Sequence, residues 1–390
     1  MPGARGIIKF LSMKRAGIYI HIPFCRTRCS YCNFATGAYE PELAGAYVAA
    51  VAAEIAAFDL PQALREVETI YFGGGTPSLL TPLQVAHLLE AVRARFSVAA
   101  DAEITMEMNP GTLMMETLGE YRRLGVNRAS YGAQTFDDRE LRQLGRSHTA
   151  QDVRQTMRAL REAGFRNVSF DLIAGLPGQT LDRWARNLDE ALALRPEHLS
   201  FYLLEVHEGT PLAEQIRTGR QPHPDDDLAA LMYRLMLDRS SAAGYEHYEI
   251  SNLCRPGFAS RHNSKYWLAE PVYGFGCSAH SYDGHRTRWA NERDAARYVD
   301  LIEAGDTAVV ETTELDEHEA AAEAVFLGLR LMRGISLSQH RARFSQDLRQ
   351  KHARDLARLI EAGLIELDDN LMKLTRTGAL LSNEVFTIFV

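Results

Sequence analysis

The sequence predicts an α/β protein: an incomplete (β/α)6, TIM-like barrel followed by a smaller C-terminal winged-helix-like α+β domain. Between residues 17 and 206, short β-rich runs alternate with longer amphipathic runs, the pattern of repeated βα units around a parallel sheet. The glycine run at 73–75 lacks the G-x-G-x-x-G spacing, which disfavours a doubly wound nucleotide-binding sheet. From Asp316 onward the chain becomes helical and ends with two short strand-like runs around Asp369-Asn370.

Six runs have the apolar, β-branched character of buried strands. They are residues 17–23, 69–73, 103–108, 128–133, 167–173 and 199–206. Helices are predicted at 82–96, 150–163 and 181–194. A threonine that can cap the helix precedes each of them, namely Thr81, Thr149 and Thr180.

Three domains are expected: a barrel at 1–210, a barrel extension at 211–309 that carries the segment HNSKYW, and the C-terminal domain at 310–390. Within the extension, residues 254–289 are rich in glycine and aromatic residues and show little periodicity. Because long irregular segments in compact proteins usually line sites, we expect this stretch to be irregular and close to a site.

Composition excludes several classes of protein. With 390 residues, 46% of them apolar, the chain can bury a large core, and a net charge of -8 argues against a nucleic-acid binder. No run is long enough for a signal sequence or a membrane span. Three of the five cysteines lie within eight positions, which is ligand spacing rather than a disulfide framework. We therefore expect a cytoplasmic protein that is not embedded in a membrane.

The three clustered cysteines are Cys25, Cys29 and Cys32, in the segment HIPFCRTRCSYCNF directly after the first predicted strand. Three thiolates leave one iron of a 4Fe-4S cluster without a protein ligand, which is the position that S-adenosylmethionine (SAM) needs. The alternative is a zinc site built from these cysteines with His21 or a distant ligand. The spacing favours the cluster.

Three motifs, YIHIPFCRTRCSYCNF, YFGGGTPSLL and FDLIAGLPGQT, make the chain resemble the oxygen-independent coproporphyrinogen III oxidase-like family of radical SAM proteins. The resemblance extends from residue 17 to the C-terminus. It implies a radical SAM barrel in which the cluster gives one electron to the SAM sulfonium, releasing methionine and a 5′-deoxyadenosyl radical.

Polar residues at the carboxyl ends of barrel strands usually form the site. The resemblance implies that SAM contacts residues from several strand ends, namely Tyr19, Tyr31, Gly74, Gly75, Thr76, Glu107, Gln134, Arg146 and Asp171. For the glycines the alternative is a tight turn before a helix. For the polar residues it is ordinary hydrogen bonding at the barrel mouth.

Two functions remain open for such a chain. One is the coproporphyrinogen III dehydrogenase, which forms protoporphyrinogen IX in porphyrin biosynthesis, and the other is a heme chaperone that passes heme to acceptor proteins. The dehydrogenases carry a fourth cysteine, where this chain has Phe34, and a longer N-terminal extension. Both differences favour the chaperone, with acceptors such as respiratory membrane enzymes and a homodimer implied by the resemblance.

The chaperone branch carries a signature HNxxYW, which is matched here by His262, Asn263, Tyr266 and Trp267. Imidazole is a common axial ligand of heme iron, and the aromatic rings offer a flat apolar surface. The alternative is a buried loop whose aromatic rings pack the barrel against the C-terminal domain.

Other residues of the C-terminal half give weaker signals. Arg261, Arg286 and Arg288 are candidates for pairing with heme propionates or for a solvated surface. Cys254 and Cys277 are expected to be buried and inert. The C-terminal domain is expected to serve packing or partner contact rather than DNA binding.

Overall fold

The computed structural model describes residues 15–60, 65–112 and 114–389. Six parallel strands that pair in chain order form the barrel wall. They are β1 (Ala16–Ile22), β2 (Glu66–Gly74), β3 (Ser97–Met108), β4 (Arg128–Gln134), β5 (Asn167–Ala174) and β6 (His198–Leu203). All six predicted strands are present, and the last ends at Leu203 rather than at residue 206.

Helices cover the outer face of these strands. They are α1 (Pro41–Ala57), α2 (Pro82–Arg95), α3 (Met115–Leu124), α4 (Asp138–Gln143), α5 (Ala150–Glu162) and α6 (Leu181–Ala193). Thr81, Thr149 and Thr180 accept hydrogen bonds from the backbone N–H three residues ahead, which confirms the three predicted caps.

The segment after the barrel extends the same sheet. It contains α7 (Pro211–Arg217), α8 (Asp226–Ala242), β7 (Glu246–Glu249), β8 (Asn252–Cys254), α9 (Arg261–Trp267), β9 (Val272–Phe275), β10 (His280–Tyr282), β11 (Thr287–Asn291), α10 (Ala295–Glu303) and β12 (Val309–Glu314). The complete sheet has 12 strands in the order β12-β11-β10-β9-β1-β2-β3-β4-β5-β6-β8-β7. Strand β9 runs parallel to β1.

The prediction of an irregular stretch at 254–289 is therefore wrong. This stretch holds one helix and three strands of three to five residues each. All four residues of β9 are buried. Short strands that are buried on both faces lack the polar alternation by which a strand is recognised in a sequence.

The C-terminal domain has its own apolar core, in which Leu329, Met372 and Val385 are buried. Its elements are α11 (Glu317–Leu329), β13 (Ile335–Ser336), α12 (Leu337–Phe344), α13 (Leu348–Lys351), α14 (Ala353–Glu361), β14 (Ile365–Leu367), β15 (Leu371–Leu374), α15 (Arg376–Leu380) and α16 (Ser382–Phe386). A helix, a strand, further helices and a hairpin around Asp369-Asn370 give the predicted winged-helix order.

The barrel wall alternates between two environments. In β1, Ile18, Ile20 and Ile22 are fully buried in the layer against the helices, whereas Tyr19 and His21 point to the interior, which we call the lumen. Among the described helices none has the length and apolarity to cross a bilayer.

Candidate functional site

The three cysteines of the predicted cluster lie in the segment after β1, the cysteine loop, at the carboxyl end of the barrel strands. Cys25 ends a two-residue strand, Phe24–Cys25, which pairs with Gly37–Ala38 farther along the same segment. Backbone hydrogen bonds fix this loop, since Tyr39 N donates to Cys25 O at 3.0 Å and Cys32 N donates to Cys29 O at 3.3 Å. All three thiols are partly accessible. The loop therefore presents three sulfur ligands at the mouth of the lumen.

Two side chains from other loops at this end of the barrel approach these sulfurs. Thr76 Oγ1 lies 3.6 Å from Cys25 Sγ, and Arg146 Nη1 donates to Cys29 Sγ at 3.3 Å. Burial raises the pKa of the Cys25 thiol, while the Thr76 contact and the Arg146 charge act in the opposite direction. A hydroxyl and a cation beside thiols fit an iron-sulfur site, because both stabilise negative charge on sulfur.

His21 does not complete a zinc site with the cysteines. Its Nδ1 lies 3.0 Å from the Tyr19 hydroxyl and its Nε2 lies 3.1 Å from Ala35 O, so both ring nitrogens are engaged. Within the described ranges, no three His, Cys, Asp or Glu side chains converge on a single-ion position. A 4Fe-4S cluster places its thiolates on different irons, so three thiols that do not converge on one point can still hold it.

The glycine run after β2 allows the strand end to pack under the cysteine loop. Gly74 has φ +110°, and a Cβ there would lie 2.6 Å from the His21 ring. At Gly75 a Cβ would lie 2.7 Å from Phe24 O. The amides of Gly74 and Gly75 donate to Glu107 Oε2 and Ile22 O. Both glycines are therefore needed for the close packing of this loop against the segment after β1.

Two carboxylates line the lumen below the cysteine loop. Tyr71 donates to Glu107 Oε1 at 2.6 Å. Burial raises the pKa of Glu107 to about 7, although the hydrogen bond from Tyr71 acts to lower it. Burial also raises the pKa of Asp171 to about 6, against the contribution of Ser200. Both side chains are partly accessible. Because protein surrounds both carboxyl groups, their accessible surface faces the lumen.

Arg146 joins two of the strand ends. Its Nη2 donates to Gly132 O at 2.6 Å and to Asn109 Oδ1 at 3.2 Å, and its Nε has no partner in the described residues. Next to it, Gln134 has a φ of +64°, a strained backbone conformation for a side chain of this kind. Burial raises the pKa of Tyr31, while the charge of Arg146 acts to lower it and that of Cys29 to raise it. The structure thus brings the predicted SAM residues of four strand ends to one mouth.

Asn109 is a member of this mouth that the sequence analysis missed. Its amide Nδ2 donates to Thr76 Oγ1 at 2.9 Å while its Oδ1 accepts from Arg146, so it connects both neighbours of the thiols. The signal was present, because Asn109 directly follows β3 in the segment EMNP. Tyr71 and Arg128 were also missed, since each is a polar residue inside an otherwise apolar strand.

The signature HNSKYW forms helix α9 and lies at the opposite end of the lumen. His262 is 1% exposed, and its Nδ1 lies 2.8 Å from Oγ1 of Thr69, near the start of β2. Its Nε2 lies 3.1 Å from the Tyr266 hydroxyl. Burial lowers the pKa of His262 to about 3, so the ring is neutral near pH 7. Helix α9 therefore closes the floor of the lumen, and the cysteines lie at its mouth.

Charged groups hold α9 in the floor. The amides of Arg261 and His262 donate to the Glu103 carboxylate at 3.2 and 3.0 Å, which places a negative charge at the positive end of the helix. Lys265, almost fully buried, pairs with Glu68 and with Glu270. The two carboxylates offset the cost of burying this ammonium group.

The other signature residues have separate surroundings. The Trp267 ring lies 4.2 Å from the Arg330 guanidinium at the end of α11, so it contacts the C-terminal domain. The packing alternative expects such a contact, but it expects it from a loop, whereas Trp267 belongs to a helix. Asn263 is held through its backbone N–H, which donates to Ser260 Oγ. Cys254 and Cys277 are both buried, as expected.

The three arginines considered for heme propionates all have carboxylate partners. Arg261 pairs with Glu68 at 2.9 Å, Arg286 with Glu314 at 3.5 Å, and Arg288 with Glu323. These pairs lie on or near the surface, so none of the three is a free cation inside the barrel.

Comparison with known proteins agrees with this architecture. The model of the radical SAM superfamily matches residues 19–191, and that of the HemN C-terminal domain matches residues 315–381. The chain has a TM-score of 0.84 with the Escherichia coli coproporphyrinogen III oxidase (HemN), a radical SAM enzyme, at 24% identity, covering 97% of this chain and 90% of that one. This likeness shows the fold.

Full-length relatives are more similar in sequence. The Bacillus subtilis heme chaperone HemW is 36% identical over 95% of this chain and 98% of its own length. A Mycobacterium tuberculosis heme chaperone HemW is 37% identical over 95% of this chain and 93% of its own length. The Bos taurus radical S-adenosyl methionine domain-containing protein 1, mitochondrial, is 36% identical over 94% of this chain and 85% of its own length.

Proposed function

This chain belongs to the HemW family of radical SAM proteins, and on that premise we propose that it binds a 4Fe-4S cluster, SAM and heme and delivers heme to acceptor proteins. Cys25, Cys29 and Cys32 would hold the cluster, which supplies an electron to the SAM sulfonium when both are bound. The described mouth supports this, because its glycine loop, two carboxylates and Arg146 surround the space beneath the cysteine loop.

The proposal that the protein binds heme is supported by the hydrogen bonds of the His262 ring. Thr69 fixes Nδ1, which fits a tautomer in which Nδ1–H donates and Nε2 accepts from the Tyr266 hydroxyl. Tyr266 is 37% exposed, and this surface faces the lumen because protein encloses the ring. Rotation of Tyr266 would free Nε2 for heme iron without breaking the Thr69 contact, as is usual for a metal-binding histidine.

The dehydrogenase remains the competing function. Phe34 stands where those enzymes carry a fourth cysteine, and it is 63% exposed next to the cysteine loop. Phe34 therefore offers no thiol beyond those of Cys25, Cys29 and Cys32 in this segment. We therefore keep oxidation of coproporphyrinogen III as the outcome that would replace the chaperone function.

Delivery, location and assembly extend the same proposal. We propose a cytoplasmic protein whose acceptors include respiratory membrane enzymes and which forms a homodimer, all on the basis of the family resemblance. The winged-helix domain would contact the barrel or a partner. Salt-sensitive DNA binding by residues 310–390 would contradict that role.

The main experiment is a heme titration after anaerobic reconstitution of the cluster. We expect the wild type and His87→Ala, an exposed control on α2, to retain stoichiometric heme after desalting, and His262→Ala to lose it. The Soret band measures retention. Failure of the wild type to retain heme, together with conversion of coproporphyrinogen III to protoporphyrinogen IX, would favour the dehydrogenase.

A second experiment tests the cluster ligands separately. Cys29→Ala should lose the bound iron and the broad visible absorption of the cluster, whereas Cys254→Ala should keep both because Cys254 is buried away from the cysteine loop. Equal iron content in the two variants would contradict the assignment.

A further inference from the structure

Arg128 is a buried cation inside the barrel whose N–H groups are not all used. It lies at the start of β4, is 1% exposed, and its charge acts on Glu107, Asp171 and His262, all of which face the lumen. Its Nε and Nη1 have no hydrogen-bond partner in the part of the chain that the structure describes. A buried guanidinium with unused donors is costly, so this arrangement calls for an anionic partner.

The neighbouring strands present unused polar atoms at the same level. Thr105 on β3 and Asn167 on β5 are the direct register partners of Arg128. Thr105 Oγ1 and Asn167 Oδ1 are likewise buried without a partner in the described ranges. Paired residues of parallel strands point to the same face, so three adjacent strands present unsatisfied polar groups together. Native proteins leave few such groups unpaired, and clusters of them mark ligand sites.

The chemistry of these groups selects the ligand. A guanidinium with free N–H groups binds a carboxylate strongly and with defined geometry, and the Thr105 hydroxyl is available as a further donor. In the proposed function the SAM carboxylate is held at the cluster, at the mouth. Among the proposed ligands, heme also carries carboxylates, its propionates, and these are the carboxylates that could bind at the floor. Arg261, Arg286 and Arg288 are already paired with carboxylates and do not compete for this role.

We propose that Arg128 binds a propionate of the heme whose iron His262 coordinates, so that the floor of the lumen holds the cargo at two points. This inference rests on the proposed function and adds the residue that recognises the acidic edge of the heme. It assigns α9 and β4 to one binding site, with the iron on the helix and the carboxylate on the strand.

The test compares heme with heme dimethyl ester, whose propionates are uncharged, on the full-length, cluster-reconstituted protein. We expect the wild type to bind the ester roughly 10- to 100-fold more weakly than heme, the loss typical of one charge-assisted hydrogen bond. Arg128→Gln should weaken heme binding by a similar factor and leave ester binding unchanged. Arg158→Gln, an exposed control on α5, should behave as the wild type.

Spectroscopy separates this role from a purely structural one. In Arg128→Gln the absorption and EPR signature of the axial ligand should match the wild type, because His262 still coordinates iron, whereas His262→Ala should lose that signature. A general loss of packing would instead change the signature and weaken heme and ester equally.

The outcomes distinguish the two proposals. If the wild type binds neither heme nor its ester, the heme chaperone function fails and the role of Arg128 fails with it. Equal affinity of the wild type for heme and ester, or an equal loss of both in Arg128→Gln, overturns only the role of Arg128. Should Arg128→Gln fail to fold, Arg128→Lys, which keeps the positive charge but not the guanidinium fork, takes its place, and an unchanged ratio of heme to ester affinity in that variant overturns the role of Arg128.

Discussion

Thr69 on β2 and His262 on α9 are joined by a 2.8 Å hydrogen bond across 193 positions of the chain. Gly17 on β1 makes room for this contact, because a Cβ there would lie 2.8 Å from Thr69 Oγ1 and 3.2 Å from His262 Nδ1. The floor of the lumen is thus assembled from segments that are distant in sequence. Under the proposed function, the Thr69 contact leaves Nε2 as the ring nitrogen of His262 that would bind heme iron.

Thr69→Val should destabilise the apoprotein by about 1–3 kcal/mol, because it leaves the buried Nδ1 of His262 without a partner. Thr105→Val is the matched control: it is equally buried on the next strand, but its hydroxyl has no partner in the described residues, so its loss should be neutral or slightly stabilising. Urea unfolding measures both. Equal costs would mean that the hydrogen bond contributes little.

Lys265→Met should destabilise the protein by about 2–3 kcal/mol, because it removes an almost fully buried ammonium group and its ion pairs with Glu68 and Glu270, although Arg261 still pairs with Glu68. Lys373→Met is the control, because Lys373 pairs with Glu366 at the surface and its loss should cost less than about 1 kcal/mol. Thermal and urea unfolding report the difference. A cost at Lys265 no larger than at Lys373 would contradict a structural role for α9 in closing the floor.

The raised pKa of Glu107 predicts a pH dependence of stability. The folded carboxyl has a pKa of about 7, above its ordinary value of 4.5, so the fold favours the protonated form. The protonated carboxyl contributes at most about 3 kcal/mol to the free energy of unfolding. This contribution is fully present below about pH 4.5 and is lost as the pH rises through 7. Glu107→Gln keeps the size of the side chain and one acceptor oxygen for Tyr71 or Gly74, and it does not titrate. It should therefore gain stability relative to the wild type as the pH rises.

Unfolding free energies of wild type and Glu107→Gln at pH 5 and pH 8 measure this effect. Glu116→Gln, at an exposed position of α3, is the control and should follow the wild type at both pH values. A difference between Glu107→Gln and wild type that stays constant with pH would show that Glu107 titrates normally.

Gly74→Ala should destabilise the protein by about 2 kcal/mol or more and reduce cluster assembly. The new Cβ meets the His21 ring at 2.6 Å and the backbone has a positive φ, which only glycine adopts without strain. Gly119→Ala in α3, with open space around its Cα, should stabilise by about 0.5–1 kcal/mol. Thermal unfolding and iron content measure both variants. Normal iron content in Gly74→Ala would show that the glycine run is not needed under the cysteine loop.

Local sequence signals predicted much of the fold. The six barrel strands, the capped helices and the C-terminal hairpin follow from short-range patterns, because apolar alternation, threonine caps and the Asp-Asn turn act within a few residues. The stretch at 254–289 was not predicted, since its strands are short and buried on both faces. Asn109 was missed although it directly follows a predicted strand, because only the tertiary structure shows that its side chain connects Thr76 with Arg146.

The sequence by itself determined that three cysteines lie together in one segment, where the six barrel strands lie, and the motifs that indicate a radical SAM barrel. These features lie in contiguous segments, where spacing alone limits the geometry. Only the tertiary structure decided that HNSKYW is a helix at the floor of the lumen, that His262 bonds to Thr69, and that Arg128 is a buried cation with unused donors. The reason is that side chains on separate strands meet only when the parallel sheet curves around one lumen.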